Sequence, residues 1–270
     1  MLLVCWVHRS LPAGSAGNEC AMRTKTVIVA AILALGCTAS QAQPEPRLYL
    51  TTEAAAPHSM LEGKRVIGIG ADTVREIMTR ANIDHTIELL PWKRAYTAAL
   101  ERQDTCVFST TRTPERETLF KWVGPIGEAD WVLMGRADRK LKLETLDDAR
   151  RYRIGTYNGD ARDLYLRARG FDVDPAPNDL LNPRKLMANR IDLWAASIRR
   201  GSATLSRMGY ADKIVPVLVF NNIRVYLACN QAVPDELTAR MGVALDSMEH
   251  DGSLQRILHR YDDYGVAAKR

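Results

Sequence analysis

The chain carries the stretch Ser109-Thr110-Thr111-Arg112-Thr113-Pro114-Glu115-Arg116. It begins at the end of residues 105–110, which have the pattern of a β-strand. The stretch therefore lies at the carboxyl end of a strand, where α/β sheets bind ligands. Hydroxyl groups surround two arginines here, and a guanidinium can hold a carboxylate through two parallel hydrogen bonds. The same residues also fit an ordinary helix start, with Thr113 as the cap, Pro114 at the first helical position and Arg116 on the surface. From the residues alone, both interpretations stay open.

Strand-like and helix-like patterns alternate on both sides of this stretch. Short apolar runs predict strands, and apolar residues spaced three or four apart predict helices. The predicted strands are residues 47–52, 86–90, 105–110, 131–135, 153–156, 191–196, 214–220 and 223–228, and the predicted helices are residues 71–81, 95–102, 161–168, 183–190 with Asn182 as its cap, 237–248 and 254–261. This alternation favours an α/β fold with open, mainly parallel sheets and helices on both faces.

The composition excludes several classes of protein. Of 270 residues, 46% are hydrophobic and 26% are charged, which is typical of a soluble globular protein. The net charge of +5 is small against 37 basic and 32 acidic residues, and no block of like charge indicates a nucleic-acid surface. The sequence has no phosphate-binding glycine loop, dinucleotide fingerprint, zinc-binding histidine pair or nucleophile elbow. We therefore expect neither a cofactor nor a metal.

The N-terminal residues have the pattern of a secretory signal peptide. From Met22, two basic residues precede an apolar segment, residues 27–35, and small residues stand at positions 40 and 42. The apolar segment is too short to span a bilayer as an anchor. We expect Met22 to be the true start, and cleavage after Ala42 to release the chain into the periplasm. A lipid anchor at Cys37 is the alternative.

Cleavage after Ala42 leaves two cysteines, Cys106 and Cys229. An oxidising compartment would allow them to pair. Both lie in apolar runs that resemble buried strands, and this pattern favours two buried free thiols.

Several short motifs, in their order along an exported chain, resemble one known family. They are Asp72-Thr73-Val74 after Gly68, Pro91-Trp92-Lys93-Arg94, Thr113-Pro114-Glu115-Arg116, Arg153-Ile154-Gly155-Thr156-Tyr157-Asn158-Gly159, Asn189-Arg190-Ile191-Asp192 and Asp251-Gly252-Ser253-Leu254. Together they resemble the periplasmic solute-binding proteins of ABC importers, most closely the polar amino-acid-binding group, bacterial extracellular solute-binding protein family 3. The resemblance covers roughly residues 47–264.

This resemblance implies a type II periplasmic-binding-protein fold, in which two α/β lobes joined by two crossover strands close on a ligand. Residues 1–42 would form the N-terminal extension and signal peptide. Residues 43–128 and 221–270 would then form the discontinuous lobe 1, and residues 129–220 the inserted lobe 2.

The resemblance also implies a set of ligand-binding residues. By position, Arg116 resembles the arginine that clamps the α-carboxylate of the ligand, and Ser109 and Thr111 match loop positions that help to hold it. In lobe 2, Gly159, Asp160 and Ala161 match a turn at a helix N-terminus, whose amides can bind the same anion.

The sequence departs from the family pattern in the part of the site that binds the α-ammonium. Ser197 stands where the family usually has an aspartate. Asp160 and Glu53 are the acids that could substitute for it, and each fits a cap or a surface acid equally well. A carboxylate ligand is therefore a safer expectation than an α-amino acid, because an unpaired buried ammonium is costly.

A second departure concerns the aromatic residue that commonly stacks on the ligand. Residues 54–56 are all alanine in that region, and Trp92 or Trp194 could supply an apolar wall instead, although a core position is the more common role of such residues.

The function expected from this resemblance is capture of a small carboxylate-bearing solute, an amino acid or a related organic acid, and its delivery to an inner-membrane ABC permease. We expect a monomer that is not an enzyme and does not bind nucleic acid. One alternative is a periplasmic ligand sensor. The other is a dehydratase-like enzyme on the same fold, for which Glu53, Asp160 and His58 are the candidate acid–base groups.

Overall fold

The computed structural model describes residues 47–262, with the backbone alone at residues 199 and 200. The strands are β1 (Leu48–Thr52), β2 (Met60–Glu62), β3 (Arg65–Ile67), β4 (His85–Leu89), β5 (Thr105–Thr111), β6 (Lys121–Arg136), β7 (Ile154–Tyr157), β8 (Val173–Ala176), β9 (Leu193–Ser197) and β10 (Ile214–Cys229). The α-helices are α1 (Ile69–Arg80), α2 (Trp92–Glu101), α3 (Ala161–Ala168), α4 (Asn182–Met187), α5 (Ile198–Met208), α6 (Asp235–His250) and α7 (Ser253–His259). The predicted signal peptide, with Met22, Cys37 and Ala42, lies outside the described residues. None of the helices in the described part is long and apolar enough to cross a membrane.

One sheet of eight strands runs through the molecule in the order β4-β1-β5-β10-β6-β9-β7-β8. At one end β1 is parallel to β4 and β5, and at the other β7 is parallel to β8 and β9. Between these parallel parts, β10 and β6 pair antiparallel to each other and to their outer neighbours. The predicted α/β fold with two crossover strands is confirmed, and the crossover strands are β6 and β10.

Side chains alternate across this sheet, so that both faces are covered by helices. In β5, Cys106 and Phe108 belong to a buried cluster with residues of α1, α6 and α7, whereas Val107 packs with residues of α2. In β9, Trp194 packs with residues of α4 and α5, and Leu193 packs with Leu166 of α3. The prediction of helices on both faces is therefore confirmed.

The two crossover strands are longer than predicted. We expected strands at residues 131–135, 214–220 and 223–228, but β6 and β10 are continuous over 16 residues each. Their pairing shifts register between Val225 and Leu227, which lie opposite Gly127 and Val123. This irregularity accommodates Gly124-Pro125, so these two residues lie within β6 instead of ending a strand.

Three other differences concern elements with weak sequence patterns. The hairpin of β2 and β3, the edge strand β8 and helix α5 were not predicted. β8 contains Pro175, which an edge strand tolerates because one side of it is unpaired. Helix α5 is mostly polar and contains Gly201, where a Cβ would lie 2.8 Å from the terminal methyl group of Met134. Gly201 thus leaves room for the Met134 side chain where this helix packs on the sheet.

The prediction that Asn182 caps a helix was wrong. Asn182 is the first residue of α4, and Leu181 occupies the cap position. The Asn182 amide instead donates hydrogen bonds to the Thr156 carbonyl and to Asp179 Oδ1, both at 3.0 Å. It therefore ties α4 to strand β7.

Cys106 and Cys229 form a disulfide bond, so the expectation of two free thiols was wrong. The two residues face each other in the antiparallel pair of β5 and β10, with their Cα atoms 3.9 Å apart. Both are completely buried, as predicted. Burial does not exclude pairing, and the sequence gives no sign that strands separated by 123 residues are neighbours.

Candidate functional site

A cleft lies where several element ends meet. The ends of β1, β5 and β9 and the starts of α2 and α3 surround this cleft, which is open to solvent on one side. Of the predicted site residues, those that line this cleft are Glu53, Trp92, Ser109, Thr111, Arg116, Asp160, Ala161 and Ser197. Gly159 is not in its lining, but its carbonyl oxygen contacts two residues that are. The structure thus brings the predicted residues together around one cavity.

Arg116 is buried beside this cleft, with 5% of its surface exposed. It lies on a short 3₁₀ helix, Pro114–Leu119, so the helix-start interpretation of this stretch was right about the backbone and wrong about a surface arginine. Nη1 donates to the Thr111 carbonyl at 3.3 Å and Nη2 to the Gly159 carbonyl at 3.4 Å. No carboxylate in the described part of the chain forms an ion pair with it. A buried charge without a counter-ion is costly, so this guanidinium is well suited to bind an anion.

Two aromatic rings form the wall next to Arg116. The Arg116 guanidinium carbon lies 4.9 Å from the ring centre of Tyr96 and 5.9 Å from that of Trp92. Burial raises the pKa of Tyr96, an effect that the nearby Arg116 charge opposes. Trp92 Nε1 donates to the Gly159 carbonyl at 3.3 Å. Trp92 therefore lines the cleft, whereas Trp194 is 1% exposed in the core and donates to Asp179.

Ser109 adopts an unusual backbone conformation at the edge of the cleft. Its φ is 59°, in the left-handed region that non-glycine residues rarely occupy outside turns and functional sites. Gly70 provides room for its side chain, since a Cβ at Gly70 would lie 2.7 Å from Ser109 Oγ. No sequence pattern indicates that Gly70 supports the site in this way.

Asp160 has a defined structural role at the start of α3. Its carboxylate accepts hydrogen bonds from the Arg162 backbone N–H at 2.9 Å and from Arg162 Nε at 2.6 Å. Asp160 is therefore a helix cap, which was one of the roles that the sequence left open for it. Glu53, which follows β1, is the other acid that the sequence singled out, and it also lines the cleft.

Arg162 is a cleft residue that the sequence analysis missed. It is 4% exposed, and besides its contact with Asp160 its Nη2 lies 3.9 Å from Asp179 Oδ2. A cation in the first turn of a helix is disfavoured by the helix dipole. An arginine at the second position of a predicted helix was thus a signal that a specific acidic partner lies nearby.

Ser197 ends strand β9 and precedes α5, without capping that helix through its side chain. It pairs with Trp131 of β6, and both residues line the cleft. His58 lines the cleft as well, so the three acid–base candidates Glu53, His58 and Asp160 all surround the same cavity. Among residues 47–262, no group of three or more His, Cys, Asp or Glu side chains is placed to hold a metal ion.

Residues 49–263 match the family model of the bacterial extracellular solute-binding proteins, family 3. The chain belongs to this family. Its resemblance to the family, inferred from short motifs, is therefore confirmed over nearly the same residues. Comparison with curated proteins gives no sequence match.

Solved structures share the fold of this family 3 protein. A histidine kinase sensor domain with similarity to periplasmic binding proteins is 18% identical, with a TM-score of 0.74 over 80% of this chain and 96% of that one. The arginine-, lysine-, histidine-binding protein ArtJ from Geobacillus stearothermophilus is 15% identical, with a TM-score of 0.69 over 80% and 95%. The substrate-binding protein of an amino acid ABC transporter is 14% identical, with a TM-score of 0.69 over 80% and 99%. These similarities confirm the predicted type II fold.

Proposed function

We propose that this protein captures a small carboxylate-bearing solute between two lobes in the periplasm and delivers it to an ABC-type permease. The observation that carries the proposal is Arg116, a buried guanidinium beside the cleft whose polar contacts are two backbone carbonyls. Family membership supports the capture of a solute outside the cytoplasm, and the fold shared with binding proteins of importers supports delivery to a permease.

The geometry suggests how the carboxylate is held. Arg116 would donate two parallel hydrogen bonds, and the hydroxyl groups of Ser109 and Thr111 are placed around the same cleft. The start of α3 at Ala161 adds the positive end of a helix dipole. Trp92 and Tyr96 would exclude water from the ion pair and so strengthen it.

The proposed lobes explain how binding could be signalled to a partner. The largest buried cluster contains only residues from within 43–128 and 221–270, and two others contain only residues from within 129–220. Arg116 and Trp92 belong to the first part, and they contact Gly159 of the second. A ligand that bridges the same two parts would favour their closed arrangement, which the permease could then recognise.

The proposed ligand carries no α-ammonium group. Ser197 cannot supply a negative charge, Asp160 is engaged by Arg162, and Glu53, the other acid of the cleft, takes part in another interaction. We therefore expect keto acids, hydroxy acids or simple carboxylic acids to bind more tightly than the corresponding α-amino acids.

Replacing Ser197 by aspartate is expected to shift this preference towards α-amino acids by about tenfold or more, because the new carboxylate would pair with the ammonium in a partly buried site. Calorimetric titration of matched pairs, such as pyruvate and alanine, measures the change. Ser197→Asn, which has a similar size without the charge, is the control. An unchanged preference in Ser197→Asp would place the ammonium site elsewhere.

A thermal-unfolding screen of residues 43–270 tests the proposed function. The panel contains amino acids, keto acids, dicarboxylates and aromatic acids. A ligand at a hundred times its dissociation constant adds about 2.7 kcal/mol to the free energy of unfolding, which raises the melting temperature by several degrees. We expect a carboxylate without an α-amine to give such a shift. If neutral solutes stabilise the protein and no carboxylate does, the proposal is wrong.

Signal sensing is the second candidate function, because a histidine kinase sensor domain has the same fold. Disruption of the gene distinguishes the two roles. A transport protein predicts loss of uptake of the radiolabelled ligand, whereas a sensor predicts normal uptake and loss of a ligand-dependent transcriptional response.

We also propose that the protein binds its ligand without changing it, as a periplasmic monomer. Glu53, His58 and Asp160 surround the cleft, so the test must be direct. Recovery of the intact ligand after prolonged incubation, followed by nuclear magnetic resonance, supports simple binding, and any turnover contradicts it.

Sedimentation of the exported protein tests whether it is a monomer. Its N-terminal sequence should begin at Gln43.

A further inference from the structure

A second cavity, which we call the side chamber, adjoins the cleft. It lies between the first turns of α1, the Pro125–Glu128 part of β6, and α7, and its empty volume is about 1,100 Å³. Its walls are largely apolar, with contributions from Ile69, Ile126, Leu254 and Leu258. It is therefore larger than the cleft and differs from it in character.

The side chamber borders the cleft along one edge. His58, Ser109 and Val225 line both cavities. Ser109 is the residue with the left-handed backbone, and Gly70 makes room for its hydroxyl group at this boundary. These three side chains form the boundary that a molecule held in the cleft would cross to enter the side chamber.

Thr73 places an unsatisfied hydroxyl group in the wall of the side chamber. The residue is completely buried, and its Oγ1 has no hydrogen-bond partner among the described residues. A threonine within a helix usually satisfies its hydroxyl by bonding the carbonyl four residues earlier, but Thr73 does not. An orphaned buried hydroxyl is destabilising, and a polar group of a bound molecule would remove this cost.

The charges around the side chamber select the kind of molecule that fits. Glu128 and Glu249 lie in its wall, and none of the described residues lining it is a lysine or arginine. A second carboxylate would therefore be repelled here, whereas an apolar chain ending in a hydroxyl, amide or amino group would be accepted.

We infer that the ligand is an elongated monocarboxylate, whose carboxylate binds at Arg116 and whose apolar tail enters the side chamber and ends in a hydrogen-bonding group at Thr73. This inference rests on the proposed function and names its substrate class. It also explains why a protein with a polar, arginine-containing cleft has a larger apolar cavity beside it.

Calorimetric titration with four acids tests the inference: propanoate, octanoate, omega-hydroxyoctanoate and octanedioate. Burial of the longer chain predicts that octanoate binds at least about tenfold more tightly than propanoate. Omega-hydroxyoctanoate should bind more tightly than octanoate. Octanedioate should bind more weakly than octanoate, because Glu128 and Glu249 repel its second carboxylate.

Two variants locate the tail within the protein. Thr73→Val keeps the shape of the side chain, and we expect it to abolish the preference for omega-hydroxyoctanoate over octanoate while propanoate binding is unchanged. Leu258→Trp should fill the side chamber and weaken octanoate at least about tenfold without affecting propanoate. Val243→Trp, on the exposed surface of α6, is the matched control and should change nothing.

The outcomes separate this inference from the proposed function. If propanoate and octanoate bind equally, or if Leu258→Trp weakens both to the same extent, the tail does not occupy the side chamber, although carboxylate capture stands. If no acid binds the wild-type protein, both proposals are wrong. If Leu258→Trp fails to fold, Thr73→Val provides the test. A Thr73→Val variant that still prefers omega-hydroxyoctanoate over octanoate contradicts the inference, and loss of this preference supports it.

Discussion

Replacement of Arg116 by alanine is expected to weaken binding of a carboxylate ligand by about thirtyfold to several thousandfold. The loss of one partner from a buried, hydrogen-bonded charge pair costs roughly 2–5 kcal/mol, and each 1.4 kcal/mol corresponds to a factor of ten. The effect should be at the upper end because Arg116 is 5% exposed and packs against Tyr96 and Trp92, so little solvent screens the pair.

The chain offers a matched control for this prediction four residues earlier. Arg112 carries the same charge, but it is exposed, forms an ion pair with Glu117 and does not line the cleft. Arg112→Ala should therefore change affinity by less than about twofold. Arg116→Lys keeps the positive charge but loses the planar guanidinium that donates two parallel hydrogen bonds. Its affinity should therefore lie between those of the wild type and Arg116→Ala. Calorimetric titration measures all three variants. If Arg116→Ala binds within about twofold of the wild type, the carboxylate clamp is not at Arg116.

Much of the fold was predictable because its signals are local. The helix at α1 follows from apolar residues at helical spacing, and the turn before α3 follows from Asn158-Gly159-Asp160. For Arg116, the position a few residues after a strand left a ligand role and a surface role open, and the resemblance to the family favoured the ligand role. Loops at the carboxyl ends of strands meet at one edge of the sheet, so their side chains were expected to converge.

The features that the sequence did not reveal depend on contacts between distant segments. Arg162 lines the cleft and lies 3.9 Å from Asp179, a contact between segments that are 17 residues apart in the chain. The side chamber exists because α7 packs near Thr73 of α1, some 180 residues earlier in the chain. Periodicity describes which face of a helix is buried, but it does not say where the packing leaves space or an unsatisfied hydroxyl group.

The pairing of Cys106 with Cys229 leads to the second large expected effect. A double variant, Cys106→Ala with Cys229→Ala, should lower the free energy of unfolding by about 4–5 kcal/mol. The bond closes a loop of 123 residues, and cross-links across loops of about this length restrict the unfolded chain by about that amount. Denaturation in guanidinium chloride, monitored by tryptophan fluorescence, measures the loss as a lower midpoint.

A reducing agent distinguishes the contribution of the cross-link to stability from the contribution of the packing of the two side chains. Unfolding the wild-type protein in dithiothreitol should move its midpoint most of the way to that of the double variant, and the double variant itself should not respond. If the wild type is equally insensitive and its two thiols react with a thiol reagent after denaturation, the bond is not formed. The affinity for ligand should fall much less than the stability does, because both cysteines are completely buried and neither lines the cleft. A large loss of affinity in a variant that remains folded would instead mean that the bond holds Ser109 and Thr111, which follow Cys106 in β5, in their binding positions.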